Sequence, residues 1–97
     1  MQTLLAEACK NTTQRFQNSL WSIDTIKRHL RLDVLDAIRQ GIKDGLIQHG
    51  QVATHQTKDR LWAIAILYYP DNEVKTATLE FTFYGEEPRG PRDVAVH

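Results

Sequence analysis

The sequence predicts an α+β fold in one domain, with three helices followed by a three-stranded antiparallel sheet. Three observations predict it. In the first half, apolar residues recur at steps of three and four, the spacing of one helix face. A Gly45-Leu46-Ile47 step then ends that pattern and begins an extended one. In the second half, two β-like runs flank a Pro70-Asp71-Asn72 turn signal, in which Pro presets the φ of an early turn position.

Residues 2–19 read as the first helix. Leu5, Cys9, Thr12, Phe16 and Leu20 fall on one stripe. Asn11, Thr12 and Thr13 are weak helix formers, so a break there, with Thr12 or Thr13 as a new cap, is an alternative. Trp21 is expected to close over the core beside Ile23.

Ser22 and Asp24 can each cap a second helix, because a short side-chain oxygen accepts from the free N–H groups of a first turn. Ile23, Ile26 and Leu30 form its apolar face. A turn is expected near Arg31-Leu32, with Asp33 capping a third helix that runs to Asp44. Val34, Leu35, Ile38 and Ile42 form the apolar face of that helix. Gly45 fits the position just past its end, where a left-handed backbone suits glycine.

The first strand is expected at 46–52, with Gly50 able to form a bulge. Residues 53–59 are polar and lack large apolar side chains, which marks a loop. Residues 61–69 (LWAIAILYY) are apolar throughout, as in a strand with both faces covered. One face would lie on the helices. The other would meet another layer, a second subunit or a partner. Residues 76–84 alternate, with Ala77, Leu79, Phe81 and Phe83 on one side. The segment 85–97 holds Gly and Pro among charges and reads as a mostly flexible tail, in which Val94-Ala95-Val96 could dock on an exposed strand edge.

The segment from Ser22 to Ile47 resembles the winged helix-turn-helix superfamily. Ile26, Leu30, Leu35, Ile38, Ile42 and the Asp44-Gly45-Leu46-Ile47 step carry the resemblance, which covers about residues 4–67. One departure is Gly41, four residues before the terminal glycine, where such domains commonly hold a large apolar residue. Glycine there weakens a helix by roughly 1 kcal/mol relative to Ala, and could let another element approach closely. The resemblance implies a winged helix-turn-helix domain over residues 1–84, with a wing at 53–60. The strand at 76–84 is an addition to that pattern.

Length and composition bound the function. At 97 residues the chain is too short for two cores. No apolar run approaches the ~20 residues that span a bilayer, and the N-terminal residues do not read as a signal peptide, so a cytoplasmic protein without membrane contact is expected. Cys9 is the only cysteine and is expected to be a small buried hydrophobe.

Twelve basic residues balance twelve acidic ones, but unevenly along the chain. Residues 22–60 carry seven Lys or Arg against five Asp, while residues 61–97 carry three against six acidic residues. There is no phosphate-binding glycine loop and no nucleophile motif. His49 and His55 could share a metal only with help from Asp59. Asp33 and Asp36 read as a cap and a partner of the helix dipole. The chain is therefore expected to be neither an enzyme nor a cofactor protein.

By the resemblance, helix 33–44 would enter the major groove of double-stranded DNA, with Arg39, Gln40 and Lys43 at base edges. Lys27, Arg28 and Arg31 would hold phosphates, and His55, Lys58 and Arg60 would let the wing touch the backbone or minor groove. This describes a transcriptional or replication regulator, dimeric through strands 61–69 and 76–84. The carboxylates Asp33 and Asp36 on the same helix argue against a phosphate partner. They favour a second expectation, a protein-interaction module on a winged-helix scaffold, such as a phage-encoded inhibitor of host or defence machinery.

Overall fold

The computed structural model describes residues 1–16, 21–83, 91 and 93–96. Two helices form one layer and a four-stranded antiparallel sheet forms the other. The elements are α1 (Gln2–Phe16), α2 (Ile23–Lys43), β1 (His49–Gln56), β2 (Arg60–Tyr68), β3 (Val74–Thr82) and β4 (Asp93–Val96). The sheet order is β1-β2-β3-β4, so each strand pairs with its neighbour in sequence.

This corrects the expected fold of three helices, three strands and a helix-turn-helix. α2 is one helix of 21 residues that passes through Arg31-Leu32 without interruption. The physical reason is the phase of its core stripe. Ile23, Ile26, Leu30, Val34, Ala37, Ile38 and Gly41 are all buried, and their steps of three and four never slip at Arg31-Leu32. No Gly or Pro lies between Ile23 and Gln40 to break the backbone hydrogen bonds.

Asp33 is therefore not a cap. It lies in mid-helix and bridges to α1, accepting from the Thr12 hydroxyl at 2.5 Å and from Arg15 Nη1 at 3.0 Å. Thr12 is buried, and α1 runs unbroken through Asn11-Thr12-Thr13. The expected stripe of Leu5, Cys9, Thr12 and Phe16 does face the core; Leu20 lies outside the described residues. Trp21 is 43% exposed and meets Phe16 edge-on instead of closing over the core.

Both ends of α2 are capped as the sequence indicates. Ser22 Oγ accepts from the Thr25 N–H at 3.3 Å. At the other end Gly45, with φ of 76°, donates to the Ile42 carbonyl, and Leu46 donates to the Gly41 carbonyl at 2.9 Å. That pair of bonds is a Schellman motif. It turns the chain so that β1 runs back beside α2.

The helices cover one face of the sheet. Leu61, Ala63, Ala65 and Leu67 of β2 and Leu79 and Phe81 of β3 are buried there. Two glycines let neighbouring elements approach, Gly50 between α2 and β1 and Gly41 between α2 and Met1. A Cβ on Gly50 would fall 2.7 Å from Ile38 Cγ2, and one on Gly41 would run into the Met1 side chain.

The strand boundaries also shift. β1 begins and ends later than expected and takes in residues 53–56, so the polar loop shrinks to a turn closed by Thr57 N–H to the Arg60 carbonyl at 2.9 Å. The β2–β3 hairpin turns through Pro70-Asp71-Asn72, with Asn72 in the left-handed region at φ 67°. Within 85–97, read as a flexible tail, residues 93–96 form β4 on the edge of β3, with Val94 opposite Phe81. Residues 84–90, 92 and 97 lie outside the described residues.

Candidate functional site

The residues expected to read DNA divide among three surfaces. Lys27, Arg28 and Arg31 lie on the N-terminal half of α2. With Asp24 and Thr54 of β1 they line a cleft of about 360 Å³. Lys27 pairs with Asp24 at 3.5 Å. Among the described residues, Arg28 and Arg31 pair with no carboxylate.

Arg39, Gln40 and Lys43 lie on the C-terminal half of the same helix. Arg39 lies about 12 Å along the helix from Arg31, and none of the three lines the cleft. Arg39 pairs with Asp36 at 3.2 Å, and Gln40 donates to Asp44 at 2.8 Å. All three are exposed, but they continue a helix packed on the sheet and do not form a separate reading helix.

His55, Lys58 and Arg60 belong to the β1–β2 hairpin. Lys58 lies in its turn. His55 and Arg60 lie on the face of the sheet turned away from the helices. There His55 stacks on Trp62, with ring centroids 5.3 Å apart, and Arg60 pairs with Glu80 at 3.4 Å.

Among the described residues, that open face is unusually apolar. Strand alternation places Trp62, Ile64, Ile66 and Tyr68 on it, each half-buried, in one line along the central strand β2. The buried side of the same strand holds Leu61, Ala63, Ala65 and Leu67. The larger side chains therefore face outward, with Val74 of β3 adding a further apolar group at 55% exposure. Large apolar side chains ordinarily fill the core.

The register sets flat partners beside them: His49 opposite Tyr68, Gln51 opposite Ile66, and Thr78 opposite Ile64. Across β1 to β3 the formal charges of this face are the paired Arg60 and Glu80 alone. The sequence offers the whole apolar run 61–69 as a strand with a second face to cover; the register decides that Trp62, Ile64, Ile66 and Tyr68 are the residues on that face. The signal for them is the absence of polar alternation in 61–69.

His49 and His55, the pair the sequence offers to a shared metal, are held apart. His49 and His55 are six residues apart on one strand, about 20 Å, and each ring packs on an aromatic neighbour. Among the described residues no group of three or more His, Cys, Asp or Glu could hold a metal ion. Cys9 is buried in α1, and burial pushes its thiol up to about 11, with the Thr13 side chain partly offsetting the shift. Among the described residues no helix is long and apolar enough to cross a membrane.

Set against known protein families, characterised proteins and solved structures, the chain matches none.

Proposed function

We propose that this protein is an interaction module that pairs with a second copy of itself through the open face of its sheet. The observation that carries the reading is the inverted strand β2, which keeps alanines inside and places Trp62, Ile64, Ile66 and Tyr68 outside. Two such faces can pack as the layers of a β-sandwich, about 10 Å apart. Charge favours a second copy as occupant. Across β1 to β3 Arg60 and Glu80 pair with each other, so two copies of this part of the face meet without net repulsion. A highly charged partner would find nothing there to recognise it.

A duplex-reading role draws less support from the geometry. Of the nine residues expected to touch DNA, only Lys27, Arg28 and Arg31 line the cleft, the other six lie on two further surfaces, and Asp24 sits among the first three. The formal net charge of zero adds no general attraction to a polyanion.

Sedimentation over a hundredfold range of concentration tests the proposal. The wild-type chain is expected to shift from monomer to dimer. Ile64→Lys, which sets a charge in the middle of the face, should weaken that equilibrium at least tenfold while leaving the circular dichroism spectrum intact. A wild-type chain that stays monomeric at millimolar concentration, or a Lys variant that dimerises equally well, would overturn the reading.

A further inference from the structure

A second surface, separate from the sheet face, lies between α2 and the outer side of β1. β1 is an end strand and pairs only with β2 among the described residues. Its turn fixes which backbone groups face out. Thr57 N–H donates to the Arg60 carbonyl, so Thr57 and alternate residues before it bond inward to β2. Val52, Thr54 and Gln56 therefore direct their N–H and C=O groups to the open side.

Side chains of those same residues point toward the helix layer, where the basic cleft begins. The cleft joins Thr54 to Asp24, Lys27, Arg28 and Arg31. Asp24 engages Lys27, which leaves Arg28 and Arg31 without a carboxylate among the described residues. Further along the same flank of α2, at helical steps from Arg31, come Leu35, half-exposed, and Ile42, 42% exposed. The cleft is thus cationic, the flank of α2 beyond it is apolar, and the outer edge of β1, unpaired among the described residues, begins at the cleft with Thr54.

We propose that this groove takes an extended acidic peptide as a fifth strand on β1. Main-chain hydrogen bonds to Val52, Thr54 and Gln56 would supply affinity, and the flank of α2 would supply selectivity. In an added strand alternate side chains face the helix layer. The favoured segment therefore carries two carboxylates at i and i+2 to meet Arg28 and Arg31, followed by apolar residues at i+4 and i+6 beside Leu35 and Ile42. Guanidinium groups suit carboxylates because their donors form a planar fork. Phosphates would satisfy the same arginines. A duplex, however, has no use for the strand edge.

The probe is a fluorescent peptide, Glu-Thr-Glu-Thr-Val-Thr-Val-Thr, together with its reversed sequence and a version with Lys in place of Glu. A duplex oligonucleotide serves as the competing polyanion. Anisotropy is expected to show binding of one or both acidic peptides and none of the Lys version. The double variant Arg28→Glu, Arg31→Glu should lose at least tenfold, whereas Arg39→Glu with Lys43→Glu should lose less than twofold. Thr54→Pro removes one outward N–H and should also weaken binding. In the wild-type complex, hydrogen exchange at the Val52, Thr54 and Gln56 amides should slow. Failure to bind either acidic peptide at millimolar concentration overturns the proposal. So does arginine-dependent binding of the duplex with no slowing at those amides, which would make the cleft a phosphate site. Both readouts are independent of dimerisation, because Ile64→Lys is expected to leave peptide binding unchanged.

Discussion

Gly50 and Gly41 are both places where two elements meet at a missing side chain, yet they should respond differently to Ala. The atom facing Gly50 belongs to Ile38, which is 2% exposed and has no room to swing aside. Gly50→Ala should destabilise the fold by about 1–3 kcal/mol, the range for an overpacked core. The atom facing Gly41 is the far end of the flexible Met1 side chain. There the clash is offset by a helix-propensity gain of about 1 kcal/mol, so Gly41→Ala should change stability by no more than about that amount. Urea midpoints of the two variants check the order; a larger loss at Gly41 would contradict this packing. Cys9 gives a pH-dependent counterpart. Its thiol rises from 9.0 to about 11 on folding. The folded state therefore holds the proton more tightly, and the resulting stability is complete below about pH 9 and lost as pH rises through about 11. Comparing wild type with Cys9→Ala at about pH 8 and about pH 10.5 should show the wild type losing more stability than the variant over that interval.

The continuity of α2 shows how far the elements are legible in the chain. Its two apolar stretches, both of its caps and the glycine that ends it can all be read from residues 22–47. What separates one long helix from a helix-turn-helix is whether the core stripe keeps its phase across Arg31-Leu32. It does, because Leu30, Val34, Ala37 and Ile38 follow one another at steps of four, three and one on the same face. Asp33 invited the opposite reading because aspartate caps helices. Its true partners, Thr12 and Arg15, lie on another helix and 21 and 18 residues away, so no local pattern could reveal them. Leu32→Pro tests the element directly. In a turn it would be tolerated. In mid-helix it removes a hydrogen bond and clashes with the preceding turn, at about 3 kcal/mol or more. Thermal denaturation should show a large drop in melting temperature, and an unchanged value would restore the turn.

At the scale of the whole molecule, the sheet was partly legible. The uniformly apolar run at 61–69 implied two covered faces, and the structure puts helices on one face only. The fourth strand was harder to read. Val94-Ala95-Val96 is legible as a triplet able to dock on an exposed strand edge, and the tertiary arrangement decides that this edge is that of β3. Removal of residues 91–97 should destabilise the domain by about 1–3 kcal/mol, because Val94 packs on the core and the β3 edge loses its partner. The shortened chain should also aggregate more readily, which light scattering would report; a fully stable and soluble truncated chain would show that β4 is dispensable. The predicted DNA contacts were individually sensible residue choices. Their dispersal over three surfaces is a property of the tertiary arrangement, which the order of residues along the chain does not display.

The meander order of the strands also bears on kinetics. Because β1, β2, β3 and β4 pair in succession and α1 lies against α2, each layer closes between segments adjacent in the chain, and the docking of the two layers joins the distant ones. Domains dominated by such short-range closure fold quickly for their size. Refolding of this chain after dilution from denaturant should accordingly show a main fast phase, followed by minor slow phases from its three prolines that a prolyl isomerase accelerates.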